Sequence, residues 1–162
     1  MRWFSVLYGM GRLIRVSVMS KKIIALAGDH GGYDLKTILK SYLEERGYEV
    51  LDLGCNGAES VDYPDFAQVM ADAILEKKAA RGVLVCGSGI GISIAANRYT
   101  HVRAALVHDR LTAELSRLHN DANVLVMGGR TIGPDVAKDC LKAFLNTEFE
   151  GGRHQRRIDK MS

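Results

Sequence analysis

The chain has 162 residues, 47% hydrophobic and 25% charged, a composition that suits one soluble domain and excludes a disordered or collagen-like polymer. Folding at this length removes roughly 68–70% of the unfolded surface from water, so a core can form without disulfide or metal staples. The formal net charge of +3 resides in residues 1–20, which hold Arg2, Arg12 and Arg15 and no acid; the neutral remainder argues against nucleic acid as a partner.

Residues 1–20 precede any strong pattern and are read as an N-terminal extension, disordered or a non-native upstream start, with Met19 opening the functional chain. A targeting leader is the competing reading, which the short length and the interruptions at Gly9 and Gly11 disfavour. From residue 21 to 162 a single domain is expected. Residues 23–27 (IIALA) form an apolar run closed by Gly28, as a strand buried on both faces would. Leu35, Ile38, Leu39, Tyr42 and Leu43 then follow helical spacing up to Gly47. Residues 48–53 read as a strand, and Phe66, Val69, Met70, Ala73 and Ile74 as a helix after Tyr63-Pro64. The third cycle is residues 82–86, a glycine-rich turn and a helix near 89–98. The fourth is a strand at 102–107 and a helix from Asp109, a suitable cap, to about Leu118. The fifth is a strand at 123–127 and a helix at 134–145, with Pro134 near its first position and Val136, Ala137, Cys140, Leu141 and Phe144 facing inward.

Five strand-then-helix cycles predict a single three-layer α/β/α domain with a five-stranded parallel sheet, Rossmann-like, plus a C-terminal arm. Ligands bind such sheets at the carboxyl ends of the strands, where strand order reverses. Cys55, Cys86 and Cys140 are odd in number and lack metal-ligand spacing, so neither a disulfide framework nor a zinc site is indicated. A reducing, cytoplasmic setting is expected. No apolar run reaches the 18 residues of a membrane span.

The most informative stretch is Val83-Leu-Val-Cys-Gly-Ser-Gly-Ile-Gly-Ile-Ser. There a strand delivers Cys86 into glycines whose amides can turn toward an anion ahead of a helix. A thiol so placed is more readily a base or nucleophile, although a buried cysteine at a strand end is also commonly just a small hydrophobe. The dinucleotide fingerprint is not met, because Ile92 stands at the third glycine position, and no GK[ST] follows to make a P-loop. Asp29 and His30 sit on the first strand's carboxyl end, placed for a ligand, or with Asp29 merely capping the next helix. His119, between the fourth helix and fifth strand, suits proton transfer near neutral pH or simply a helix C-terminus. Arg153 and Arg157, four residues apart, could grip one phosphate if helical; a solvated basic terminus is the plainer alternative.

Five stretches together resemble ribose-5-phosphate isomerase type B, within the ribose/galactose isomerase family. They are Gly28-Asp-His-Gly-Gly-Tyr-Asp-Leu-Lys, Asp62-Tyr-Pro-Asp, Val85-Cys-Gly-Ser-Gly-Ile-Gly-Ile-Ser-Ile-Ala-Ala-Asn, Leu118-His-Asn-Asp-Ala-Asn-Val-Leu and Asn146-Thr-Glu-Phe-Glu-Gly-Gly-Arg-His-Gln-Arg-Arg. The resemblance covers about residues 21–160. It implies interconversion of D-ribose 5-phosphate and D-ribulose 5-phosphate through an enediolate, without metal or organic cofactor. Cys86 then matches the proton-transferring cysteine, His119 the ring-opening histidine, and Gly87, Ser88, Gly89, Ile90 and Gly91 the loop that holds the enediolate oxygens, with Ser88 also counted as catalytic. Asp29, His30, Tyr63 and Asn120 match sugar- or phosphate-contacting positions, and Arg130, Arg153 and Arg157 the phosphate-binding arginines. The resemblance also implies a homodimer with shared active sites, with a tetramer as an alternative assembly. Ser88 stands where the family more often has Thr, and His101 where it often has a glycine. An isomerase of a six-carbon sugar phosphate such as galactose 6-phosphate, or a non-catalytic sugar-phosphate or nucleotide-binding module, remains the alternative.

Overall fold

A computed structural model describes residues 22–161 with their side chains and, ahead of them, the backbone of residues 2–8 and 12–18. Arg2–Tyr8 (β1) and Arg12–Val18 (β2) pair antiparallel as a sheet of their own. No strand was expected there, although both segments are rich in the β-branched and aromatic residues that strands favour. The expectation of disorder over residues 1–20 falls partly on 1, 9–11 and 19–20, outside the described residues. A chain beginning at Met19 is expected to fold and turn over like the full chain; a sharply lower melting temperature in a thermal unfolding experiment would show that the extension is packed.

The main sheet is parallel and five-stranded. Its strands are Ile23–Gly28 (β3), Glu49–Asp52 (β4), Arg81–Cys86 (β5), Ala104–Leu106 (β6) and Val124–Gly128 (β7), in the order β4-β3-β5-β7-β6. The helices between and after them are Tyr33–Glu44 (α1), Tyr63–Leu75 (α2), Ile90–Ala96 (α3), Arg110–Asn120 (α4) and Pro134–Asn146 (α5). A 3₁₀ turn at Gly152–His154 and a short helix, Gln155–Ile158 (α6), form the C-terminal arm.

Strand side chains alternate between two cores, as the period of 2 requires. Ile24, Leu26, Val83 and Val85 pack with Leu39, Leu43, Ala113, Leu141 and Phe144, which puts α1, α4 and α5 on one face. Ala25, Ala27, Leu84 and Cys86 pack with Ala67, Met70, Ile92 and Ala96, which puts α2 and α3 on the other. The three layers and five strands expected from the five cycles are all present.

The differences lie at the margins of the periodic stripes. Val136 was expected to face inward and is 43% exposed. Ala137, Cys140, Leu141 and Phe144 already complete the i, i+3, i+4, i+7 stripe of α5, and Val136 sits one residue ahead, about 100° around the helix. Val69 on α2 is exposed for the same reason. Strand β6 is three residues long and only half-buried, as an edge strand can be. Helix α4 runs past Leu118 to Asn120, capped by Asp121 in the left-handed conformation. His119 and Asn120 are therefore its last residues and not a linker.

Candidate active site

From β3 the chain leaves toward β4 on one side, and from β5 toward β7 and β6 on the other, so strand order reverses between β3 and β5. At this reversal the carboxyl-end loops are stitched together by their backbones. Asp29 N donates to Val85 O at 3.2 Å, Gly129 N to Cys86 O at 2.8 Å and Arg130 N to Gly87 O at 2.9 Å. Between them lies a cleft of about 320 Å³ lined by Asp29, Tyr63, Cys86, Gly87, Ser88, Gly91, Arg130 and Thr131.

Cys86 forms the floor of this cleft and is 4% exposed. Its Sγ accepts a hydrogen bond of 3.0 Å from Gly89 N. That geometry depends on Gly89 adopting φ +79, a conformation that a side chain with a Cβ disfavours. A donor is thus aimed at the atom that bears the charge of a thiolate. Ser88 Oγ accepts from Ile90 N at 3.3 Å, and the Tyr63 ring lies over Gly91. The Arg130 guanidinium rests against Gly87 and pairs with no acid among the described residues. Asp29 does cap the turn after β3, accepting from Gly32 N at 3.1 Å, and it also lines the cleft. Nearby, His30 Nδ1 accepts from Val61 N at 3.2 Å. That bond places the proton of a neutral imidazole on Nε2.

His119, Asn120, Arg153 and Arg157 are elsewhere. Helix α4 returns from the end of β6 to the start of β7, so His119 and Asn120 lie at the amino edge of the sheet. Arg103, just before β6, donates from Nε to Asn120 O at 3.1 Å, and Glu150 N donates to Leu118 O at 3.1 Å, which brings the C-terminal arm to the same edge. Gly82 N bonds Asn123 O at that end, and Cys86 is four residues further along β5, about 13 Å at the usual strand rise. Each chain therefore carries two groups of candidate residues facing opposite ways. A larger cavity of about 520 Å³ also opens at the amino edge between Lys22, Tyr48, Arg81 and Leu145, and it holds neither a thiol nor a histidine.

At the amino edge the rings of His119 and His154 stack 4.4 Å apart with an 11° angle between planes. Glu150 Oε2 lies 3.9 Å from the Nε2 of each. Arg153 Nε and Arg157 Nη1 approach the two nitrogens of His154 at 3.4 Å. Burial, the adjacent His119 and the Arg153 and Arg157 guanidiniums push the His154 imidazole below its ordinary pKa, against the opposing pull of Glu150. His119, Glu150 and His154 have ligand atoms within 4.8 Å of one another, but a cation between parallel rings would sit well out of both planes, beside two positive charges. The cluster fits a metal poorly.

Residues 24–161 match the family model described as Ribose/Galactose Isomerase. The chain belongs to this family. Ribose-5-phosphate isomerase B of Escherichia coli is 43% identical over 141 residues, 87% of this chain and 95% of that protein. The structure of a ribose 5-phosphate isomerase from Thermotoga maritima superposes with a TM-score of 0.85 at 49% identity, covering 86% of this chain and 97% of that one. Ribose-5-phosphate isomerase B from Mycoplasma genitalium, solved with bound ribulose-5-phosphate, gives a TM-score of 0.82 at 42% identity, over 86% of this chain and 93% of that one.

As a member of the ribose/galactose isomerase family the chain is an isomerase. One departure from the family pattern is absorbed by the fold: His101, where a glycine is common, keeps a negative φ and sets Nε2 2.9 Å from Ala71 O. Sequence reasoning missed Glu150 and His154. The available signal was that His154 follows Glu150 by four residues and lies between Arg153 and Arg157.

Proposed function

We propose that the chain interconverts D-ribose 5-phosphate and D-ribulose 5-phosphate by proton transfer through an enediolate. The observation that carries this reading is the Cys86 sulfur at the cleft floor with an amide N–H directed at it. Cys86 as thiolate takes the C2 proton of the open-chain aldose, the developing oxyanion is held by the amides of residues 87–91 and the Ser88 hydroxyl, and the thiol returns the proton to C1. Asp29, His30 and Tyr63 orient the sugar, and Arg130 meets the phosphate.

The remaining machinery comes from a second copy, because His119 and the arm arginines of the same chain face away from Cys86. In a two-fold dimer, His119 of one chain opens the furanose by moving a proton between the anomeric hydroxyl and the ring oxygen at the other chain's Cys86. Asn120, Arg153 and Arg157 then complete the sugar and phosphate contacts. The arm arginines have no carboxylate partner among the described residues, which suits them to a phosphate. Among the described residues no helix is long and apolar enough to cross a membrane. Three free, buried cysteines suit a reducing compartment, and we place the reaction in the cytoplasm.

The test is an aldose–ketose assay on ribose 5-phosphate and galactose 6-phosphate, each with a chelator present. Turnover of the pentose phosphate is expected to survive chelation and to exceed that of the hexose phosphate by at least about tenfold in kcat/KM, the usual discrimination for one extra carbon. A preference for the hexose would reassign the substrate, and tight binding without turnover would make the chain a binding module.

A further inference from the structure

We propose that Glu150 is a positioning residue for His119, holding its Nε2 proton so that Nδ1 is the nitrogen presented to the substrate. This rests on the reading of His119 as the ring-opening group. The Glu150 carboxylate faces His119 Nε2 at 3.9 Å, ion-pair range that one small approach converts to a hydrogen bond. No described group hydrogen-bonds a nitrogen of His119; Glu150 Oε2 is the acceptor that approaches one, and although it lies as near His154 Nε2, that nitrogen already accepts from Arg153 Nε, which leaves the His119 proton for Glu150 to select.

The carboxylate is anchored where this requires. Its own backbone N–H is tied to Leu118 O at 3.1 Å, one residue before the histidine it faces. The chain then reverses at Gly151, with φ +71 and ψ −138, and Gly152, with φ +56. A residue with a Cβ is strained at the first of these positions. The reversal brings His154 back beneath His119 as a buried floor that stacks on the ring and limits its rotation. Glu150 fixes which nitrogen carries the proton, and His154 fixes the plane in which the other one points. The two arginines on His154 link the same floor to the proposed phosphate contacts.

The experiment separates ring opening from enediolate formation. D-Ribulose 5-phosphate has no free 5-hydroxyl and cannot close a furanose, so exchange of its C1 proton with D2O, followed by proton NMR, reports the Cys86 half of the reaction alone. Isomerisation of ribose 5-phosphate reports both halves. His119→Ala is expected to lose roughly 10²-fold in kcat for isomerisation and to keep its C1 exchange. Glu150→Ala is expected to lose about tenfold in kcat, the usual cost of removing a group that orients an acting one, with KM and C1 exchange within about twofold. The exposed position of Glu150 leaves the fold intact. In nitrogen-15 NMR the His119 ring should be protonated at Nε2 in the parent chain and divided between tautomers in Glu150→Ala. If His119→Ala shows no split between isomerisation and exchange, the reading of His119 fails. If it shows the split while Glu150→Ala isomerises normally, loses both activities equally or keeps the Nε2 tautomer, the positioning role fails.

Discussion

Replacing Cys86 with alanine is expected to lower turnover by roughly 10²–10⁴-fold, the range for removal of a general base, with fold and substrate affinity retained. The side chain is small, its neighbours Leu84, Ile92 and Val126 remain packed, and among the described residues the only bond lost is the one from Gly89 N. In the proposed mechanism substrate is held by other groups: the amides of residues 87–91, Arg130, and the arm arginines of a second chain. Calorimetric titration with the substrate should therefore give nearly unchanged affinity beside the collapsed kcat. The other two cysteines are controls. Cys140 is on the buried face of α5 with its thiol pushed up to about 11 by burial, with Asp109 and Asp139 adding to the shift, so it stays protonated at neutral pH. Cys55 donates its Sγ proton to Gly57 O at 3.3 Å. Alanine at either position should leave turnover in place. Near-normal turnover in Cys86→Ala would move the base to another group in the cleft.

A second large effect is expected from mixing two inactive chains. Cys86→Ala keeps the amino-edge groups, and Arg153→Ala/Arg157→Ala keeps the carboxyl-edge cleft. If each site is built from the carboxyl edge of one chain and the amino edge of another, a heterodimer of the two variants has one intact site and one doubly damaged site. Activity should return on mixing and approach half the parental value per heterodimer. The expectation follows from topology: α4 and the arm end at the edge of the sheet opposite Cys86, about 13 Å away along β5 and β7. Verified heterodimers that stayed inactive would mean that the arginines serve their own subunit, through a bend of the arm absent from this structure.

The fold was legible because its strands are apolar runs closed by glycines, a pattern that a parallel sheet buried on both faces imposes. Residues 23–27 and 82–86 needed no tertiary information to be placed. The limits of the elements were less legible. Nothing local distinguishes Val136 from Ala137, since only the direction of α5 against its neighbours decides which of two adjacent apolar residues is covered. In the site, the Cys86 loop is written contiguously, and its strand, glycines and helix could be read together. The resemblance to a family assigns His119 and Cys86 to one site across two subunits, whereas spacing alone could not show that within one chain they sit at opposite edges. Glu150 and His154 stayed hidden because their approach to His119 is made by the positive-φ turn at Gly151 and Gly152 and by the tie from Glu150 N to Leu118 O. Both are events of backbone geometry in a segment that reads as a basic tail.

The opposed edges have a kinetic consequence. If each subunit carries half a site at each end, as proposed, a dissociated chain has no complete one, however well it is folded. In a closed two-fold pair both sites form together or not at all. By mass action the catalytic rate then grows faster than the amount of protein wherever dissociation is appreciable, and it becomes proportional to it only once pairing is saturated. A ligand that bridges the two chains adds its binding energy to the association. Sugar phosphate would therefore stabilise the assembly that consumes it, and a cell's supply of substrate would help set how much working enzyme it has.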